Sequence, residues 1–178
     1  DLQIVNGAES EDDDFKVQRN GTRVHFERVD SLAPPSGPFT LDINDVENLT
    51  VNADSGGGDG NDTLIGNNGA DRLYGDGDDD HLIGGLNADS LWGGAGKDRL
   101  EGSAGADQLL GGSGNDQLFG NAGADFLQGD SGNDRLTGGI NNDTVNGGSG
   151  NDTLSGDNGA DQLIGGDGDD LIKGNAGH

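Results

Sequence analysis

The sequence predicts an all-β chain: a flattened parallel β-solenoid with two nine-residue units per coil, entered through an irregular N-terminal segment of strands and a hairpin. Three observations predict it. Residues 57–173 divide into thirteen nine-residue units with no insertion, and a fixed period of this kind marks stacked repeats. Position eight of every unit is aliphatic, from Leu64 to Ile172. Position five alternates between odd and even units: Asn61, Asp79, Lys97, Asn115, Asn133, Asn151 and Asp169 against Ala70, Ala88, Ala106, Ala124, Asn142 and Ala160. The true period is therefore eighteen residues, so unit n+2 stacks directly on unit n, and each coil holds two strands and two turns.

The chain divides into an N-terminal β segment, residues 1–50, and a repeat region, residues 51–178. In the first, "FKVQRNGTRVHFERV" carries Asn20-Gly21, the strongest two-residue hairpin signal. A type I′ turn there places Phe15, Val17, Val24 and Phe26 on one face. "LAPPSGP" breaks the pattern, and "FTLDI" and "ENLTVNA" read as strands leading into the repeats, as irregular rungs that cap or adapt the first coil.

Within a unit, position one is glycine thirteen times. Position four is glycine ten times, and its exceptions, Asp78, Asn87 and Asn141, are the residue types that best tolerate a left-handed backbone. Position four therefore reads as a φ > 0 turn site, and each unit as a six-residue turn followed by a three-residue strand. In that strand only position eight points inward.

Position six is aspartate in all thirteen units: Asp62, Asp71, Asp80, Asp89, Asp98, Asp107, Asp116, Asp125, Asp134, Asp143, Asp152, Asp161 and Asp170. Stacking puts these carboxylates in two columns with neighbours only about 5 Å apart. The whole chain carries 34 acidic residues against 9 basic ones, for a formal charge of −25. Such a surface repels nucleic acid and anionic lipid, and no apolar run reaches membrane-spanning length, so membrane insertion is not expected. There is no cysteine to staple the fold. Hard divalent cations between turns would relieve the repulsion. Calcium takes six to eight oxygen ligands in a flexible cage, and glycine leaves backbone carbonyl oxygens bare.

Units such as "GGSGNDQLF" and "GGAGKDRLE" resemble the G-G-x-G-x-D-x-U-x nonapeptide of RTX (repeats-in-toxin) proteins, also called haemolysin-type calcium-binding repeats. The resemblance implies a right-handed parallel β-roll holding Ca2+ between turns. It implies that each ion takes carbonyls from positions one and three of one turn and from two and four of the next, bridged by two position-six aspartates. Carried onto this chain, Gly93, Ala95 and Asp98 would share an ion with Gly112, Gly114 and Asp116, and backbone carbonyls of the Gly93, Gly94, Ala95, Gly96 and Gly111, Gly112, Ser113, Gly114 turns line the sites. Columns of seven and six turns leave about eleven inter-turn gaps. The resemblance also implies a bacterial, secreted or cell-surface protein.

Other features read as incidental. "GDSG" at 129–132 is in phase with the repeat, so Ser131 is simply a position-three residue, and His25, His81 and His178 have no metal or triad spacing. "DGDDDH" lacks the glycine and glutamate of an EF-hand loop. Position nine gives Ile65, Tyr74, Ile83, Trp92, Leu110 and Phe119 in the first half of the array, with Glu101 the exception, and Tyr74, Trp92 and Leu110 would stack on one sheet face as a contact stripe. The leading reading is a non-enzymatic extracellular module that folds on binding calcium. Alternatives are a self-assembling filament or surface-layer subunit joined end to end or laterally, an ice-binding or adhesin module, and the C-terminal tail of a secreted protease or lipase. The chain starts at Asp1 and contains no Met, which reads as a mature or excised piece.

Overall fold

The computed structural model describes residues 24–25, 40–42, 49–52 and 60–175, and every regular element in them is a β-strand. Three short strands come first: β1 (Val24–His25), β2 (Thr40–Asp42) and β3 (Leu49–Asn52). Twelve six-residue strands follow at nine-residue intervals, from β4 (Thr63–Asn68) to β15 (Gln162–Asp167), and β16 (Leu171–Lys173) ends the series. Odd-numbered strands form one eight-stranded sheet and even-numbered strands the other. Every pairing is parallel. Consecutive strands thus alternate between sheets, which is the two-unit coil that the position-five alternation predicts. No helix among the described residues is long and apolar enough to cross a membrane.

Strands run longer than the three residues expected. β4 continues from Thr63 through Asn68, so positions one to three of the next unit extend the ladder. Its partners on β6 (His81–Leu86) are Thr63↔His81, Leu64↔Leu82, Ile65↔Ile83, then Asn67↔Gly85 and Asn68↔Leu86. The pairing skips position one, where the strand bends, and resumes beyond it. Burial alternates along the strand, so position eight and position one both face inward. The interior is therefore a leucine column beside a glycine column. Position-eight residues from Leu64 to Leu154 are fully buried, Leu163 packs against them, and Ile172 in the last rung is half exposed.

The first rungs are irregular, as the sequence suggests. β1 pairs Val24 with Leu49, β2 pairs Thr40 with Thr63, and β3 pairs Thr50 with Arg72. The chain distance per coil shortens along this series until it locks at 18 residues. "FTLDI" and "ENLTVNA" supply β2 and β3. The other half of the hairpin expected around Asn20-Gly21 lies outside the described residues. Val24–His25 is described, as a parallel rung.

Candidate metal centre

Position-six aspartates are buried from Asp62 to Asp152. A buried carboxylate must find donors or a counter-charge, and from Asp80 onward each finds half of what it needs. Its Oδ1 accepts the backbone N–H of the aspartate one coil earlier: Asp98 N donates to Asp116 Oδ1 at 2.9 Å, and Asp107 N to Asp125 Oδ1 at 2.9 Å. The same bond recurs in all eleven gaps between stacked turns. Its Oδ2 is buried without any hydrogen-bond partner at Asp80, Asp89, Asp98, Asp107, Asp116, Asp125, Asp134, Asp143, Asp152 and Asp161. An unsatisfied buried acceptor costs about 1–3 kcal/mol, more when charged. Ten in a row on one motif fit a cation held between the turns.

Burial raises the aspartate pKa values above the ordinary carboxylate value of 3.8. Asp80 rises to about 8, with burial the largest cause and repulsion from Asp98, Asp62 and Asp78 adding to it. Asp89 rises to about 7, again by burial first and then repulsion from Asp107 and Asp71. Asp98, Asp107, Asp116, Asp134 and Asp143 rise to about 6 for the same leading reason. In each case the backbone N–H bond pulls the value back down. A metal-free roll at neutral pH is therefore under electrostatic strain that a divalent cation would remove.

The glycines define where that cation fits. A methyl group on Gly111 would lie 2.5 Å from Asp116 Oδ2 and 2.9 Å from the carbonyl oxygen of Gly129 in the next coil. Position one is glycine because the carboxylate and a neighbouring carbonyl occupy the space a side chain would take. Position two holds a left-handed backbone at Asn67, Asp76, Ser103, Asn121, Asp130, Asp157 and Asn175 as well as at glycines such as Gly94. Position four does so at most units, among them the three non-glycine exceptions Asp78, Asn87 and Asn141.

Consider the gap between the Gly93–Gly96 turn and the Gly111–Gly114 turn. Added side-chain carbons on Gly112 and Gly114 would run into the carbonyl oxygens of Gly94 and Gly96, so those two carbonyls face forward. The carbonyl of Gly111 faces back, 2.7 Å from the Cβ position on Gly93, and that of Ser113 accepts the Gly96 N–H at 2.8 Å. Asp98 Oδ2 crowds that same point on Gly93, and Asp116 Oδ1 reaches back from the next coil. The gap thus gathers Gly94, Gly96 and Asp98 from one turn with Gly111, Ser113 and Asp116 from the next. Six oxygens, mostly carbonyls, suit a calcium ion of coordination six to eight. Among the described residues no three His, Cys, Asp or Glu side chains converge on one point, so any metal here must rely on the backbone.

A family model described as RTX calcium-binding nonapeptide repeat (4 copies) matches residues 56–91, 83–118, 92–127, 119–154 and 155–178. The chain belongs to the RTX calcium-binding nonapeptide repeat family. RTX nonapeptide repeats bind Ca2+ between turns, and the orphaned Oδ2 row fits that ion. The repeat domain is a calcium-binding β-roll module, structural rather than catalytic. No curated protein matches the chain.

Sequence reasoning anticipated the left-handed backbone at position four and not the one at position two. The signal was present, because position two holds only Gly, Asn or Asp apart from Ser103, the residue types that tolerate φ > 0. Of the expected contact stripe, the Tyr74 and Trp92 rings stack at 4.4 Å with their planes 4° apart, and Leu110 is next in register. Stacked along the roll, these rings turn their faces to one another and their edges outward.

Proposed function

We propose that this chain is an extracellular module that folds when calcium binds. The supporting observation is the row of buried Oδ2 atoms without partners, since the metal-free roll lacks the charge that would make it stable. Each gap would hold one ion, with Gly94, Gly96, Asp98, Gly111, Ser113 and Asp116 as the ligand set of the gap described above and about eleven such sites in all. In calcium-poor cytosol the −25 chain stays open; in calcium-rich surroundings outside the cell, binding and closure are one event. Residues 1–50 act as adaptor and cap, in keeping with β1 to β3 extending both sheets. Bacterial secretion is the expected setting for RTX repeats.

Circular dichroism of the purified chain, in chelator and then during calcium titration with bound ions counted by equilibrium dialysis, tests this reading. A coil-like spectrum turning to sheet as about eleven ions bind is the expected result. Full sheet in chelator, with no change on adding calcium, would sink it.

A further inference from the structure

The two turn edges of the roll differ, and the even-unit edge reads the same in both directions. Register places Asn68, Leu86, Ala104, Ala122, Ile140 and Asn158 in one column at position three. From either end that is amide, large aliphatic, alanine. Position four alongside reads Gly69, Asn87, Gly105, Gly123, Asn141, Gly159, again identical in both senses. Position five is alanine except at Asn142. In the four central even units, residues 84–92, 102–110, 120–128 and 138–146, the position-six aspartate is the sole charged residue, and it is buried. On a chain of net charge −25 this edge is a neutral strip, and its two large aliphatic residues, Leu86 and Ile140, are 54% and 48% exposed.

We propose that this edge is a homodimer interface: two calcium-loaded rolls meet along it, antiparallel, about a two-fold axis passing between Ala104 and Ala122. A two-fold interface requires one surface to complement itself, with residue i on residue j and j on i. Here the axis sets Leu86 on Ile140 of the second copy, Ala104 on Ala122, and Asn68 on Asn158. A second copy is the occupant because a palindromic strip matches itself, and no unrelated partner requires that symmetry. The proposal rests on the calcium reading. Eleven divalent ions would offset about 22 of the 25 net negative charges, removing the repulsion that keeps metal-free copies apart. Six rungs make a strip only about 25 Å long, short of the ~800 Å² per partner of a standard interface. The dimer is accordingly weak and concentration-dependent.

Sedimentation equilibrium of the full chain in millimolar calcium tests it, with bound calcium and circular dichroism read on the same samples. Expected is a reversible monomer–dimer equilibrium that chelator abolishes. Leu86→Asp should raise the dissociation constant at least about tenfold, with bound calcium counted on the same sample. A second test does not depend on that variant. The chain has no cysteine, so Leu86→Cys and Ile140→Cys each carry a single thiol. Under mild oxidation in calcium, a mixture of the two should form the mixed disulfide. Leu86→Cys alone should not, because three rungs, about 14 Å, would separate its two thiols, beyond disulfide reach. A calcium-loaded chain that stays monomeric at its highest soluble concentration overturns the proposal. So does a dimer unaffected by Leu86→Asp, or one in which Leu86→Cys links to itself. If the chain binds no calcium, the calcium reading fails first, and the missing ions in the same sample reveal it.

Discussion

The odd-unit and even-unit turns enclose the same interior and present different exteriors. Inside, both edges carry the aspartate ladder, the glycine at position one and a leucine at position eight, replaced by Val145 on the even edge and Ile172 on the odd. Outside, the odd edge adds a second ladder at position five: Asn133 N donates to Asn115 Oδ1 and Asn151 N to Asn133 Oδ1, both at 2.7 Å. The even edge has alanine there except at Asn142, whose Oδ1 accepts the Ala160 N–H at 2.8 Å. The lesson is a division of labour. Positions one, six and eight are dictated by the gap between turns, whereas position five is left to set the surface.

If so, interior substitutions should act alike on both edges. Gly111→Val and Gly120→Val each drive a side chain into a position-six carboxylate and a carbonyl of the next coil. Both should abolish closure of the surrounding coils, read as loss of calcium-induced sheet signal by circular dichroism. Unequal outcomes would break the equivalence of the two edges.

Asp116→Ala and Asp125→Ala come next in size. Asp116 and Asp125 each line two gaps, Oδ1 reaching back and Oδ2 forward, so either variant should lose up to two bound ions. The calcium midpoint of folding should rise by roughly tenfold, a shift that calorimetric titration would detect.

A pH series sharpens the comparison. The ordinary carboxylate value is 3.8, and the metal-free roll raises Asp89 on the even edge to about 7 and Asp80 on the odd edge to about 8. The folded state therefore binds more protons than the open chain. Its stability without metal is greatest below pH 4 and falls as pH rises through about 6 to 8. Calcium competes with those protons, so its affinity should climb over the same window. Compaction of the chelated chain on acidification, followed by sedimentation velocity, checks the first half. Calcium midpoints at pH 6 and pH 8 check the second.

The smallest effect addresses position five itself. Asn133→Ala removes one exposed ladder bond and should cost about 0.5 kcal/mol in calcium-loaded stability, whereas Ala106→Asn on the even edge should gain a similar amount by accepting the Ala124 N–H. Denaturant unfolding at fixed calcium would resolve the opposite signs.

Much of this was readable from the sequence. Aspartate at position six and aliphatics at position eight announce themselves because side-chain chemistry fixes both. The Asn/Ala alternation at position five gave the eighteen-residue coil. The direction of the carbonyl oxygens was hidden, since they belong to the backbone and no residue type names where they point. Strand length was underestimated for a related reason: glycine-rich positions one to three look like turn, yet parallel neighbours extend the ladder through them. The rungs from Thr40 and Leu49 were visible as strands, and their longer coil spacing was not.

The stacked rings on the odd-strand sheet have one further consequence. Trp92 is the single tryptophan and Tyr74 the single tyrosine of the chain, and they come face to face only when β5 (Arg72–Gly77) and β7 (Ser90–Ala95) lie in register. The protein thus carries its own optical reporter. Tyrosine-to-tryptophan energy transfer reads the closing of one defined coil near the start of the roll, with no label attached. Set beside circular dichroism, which averages over all coils, that emission would show whether closure sweeps along the rod from one end or happens everywhere at once.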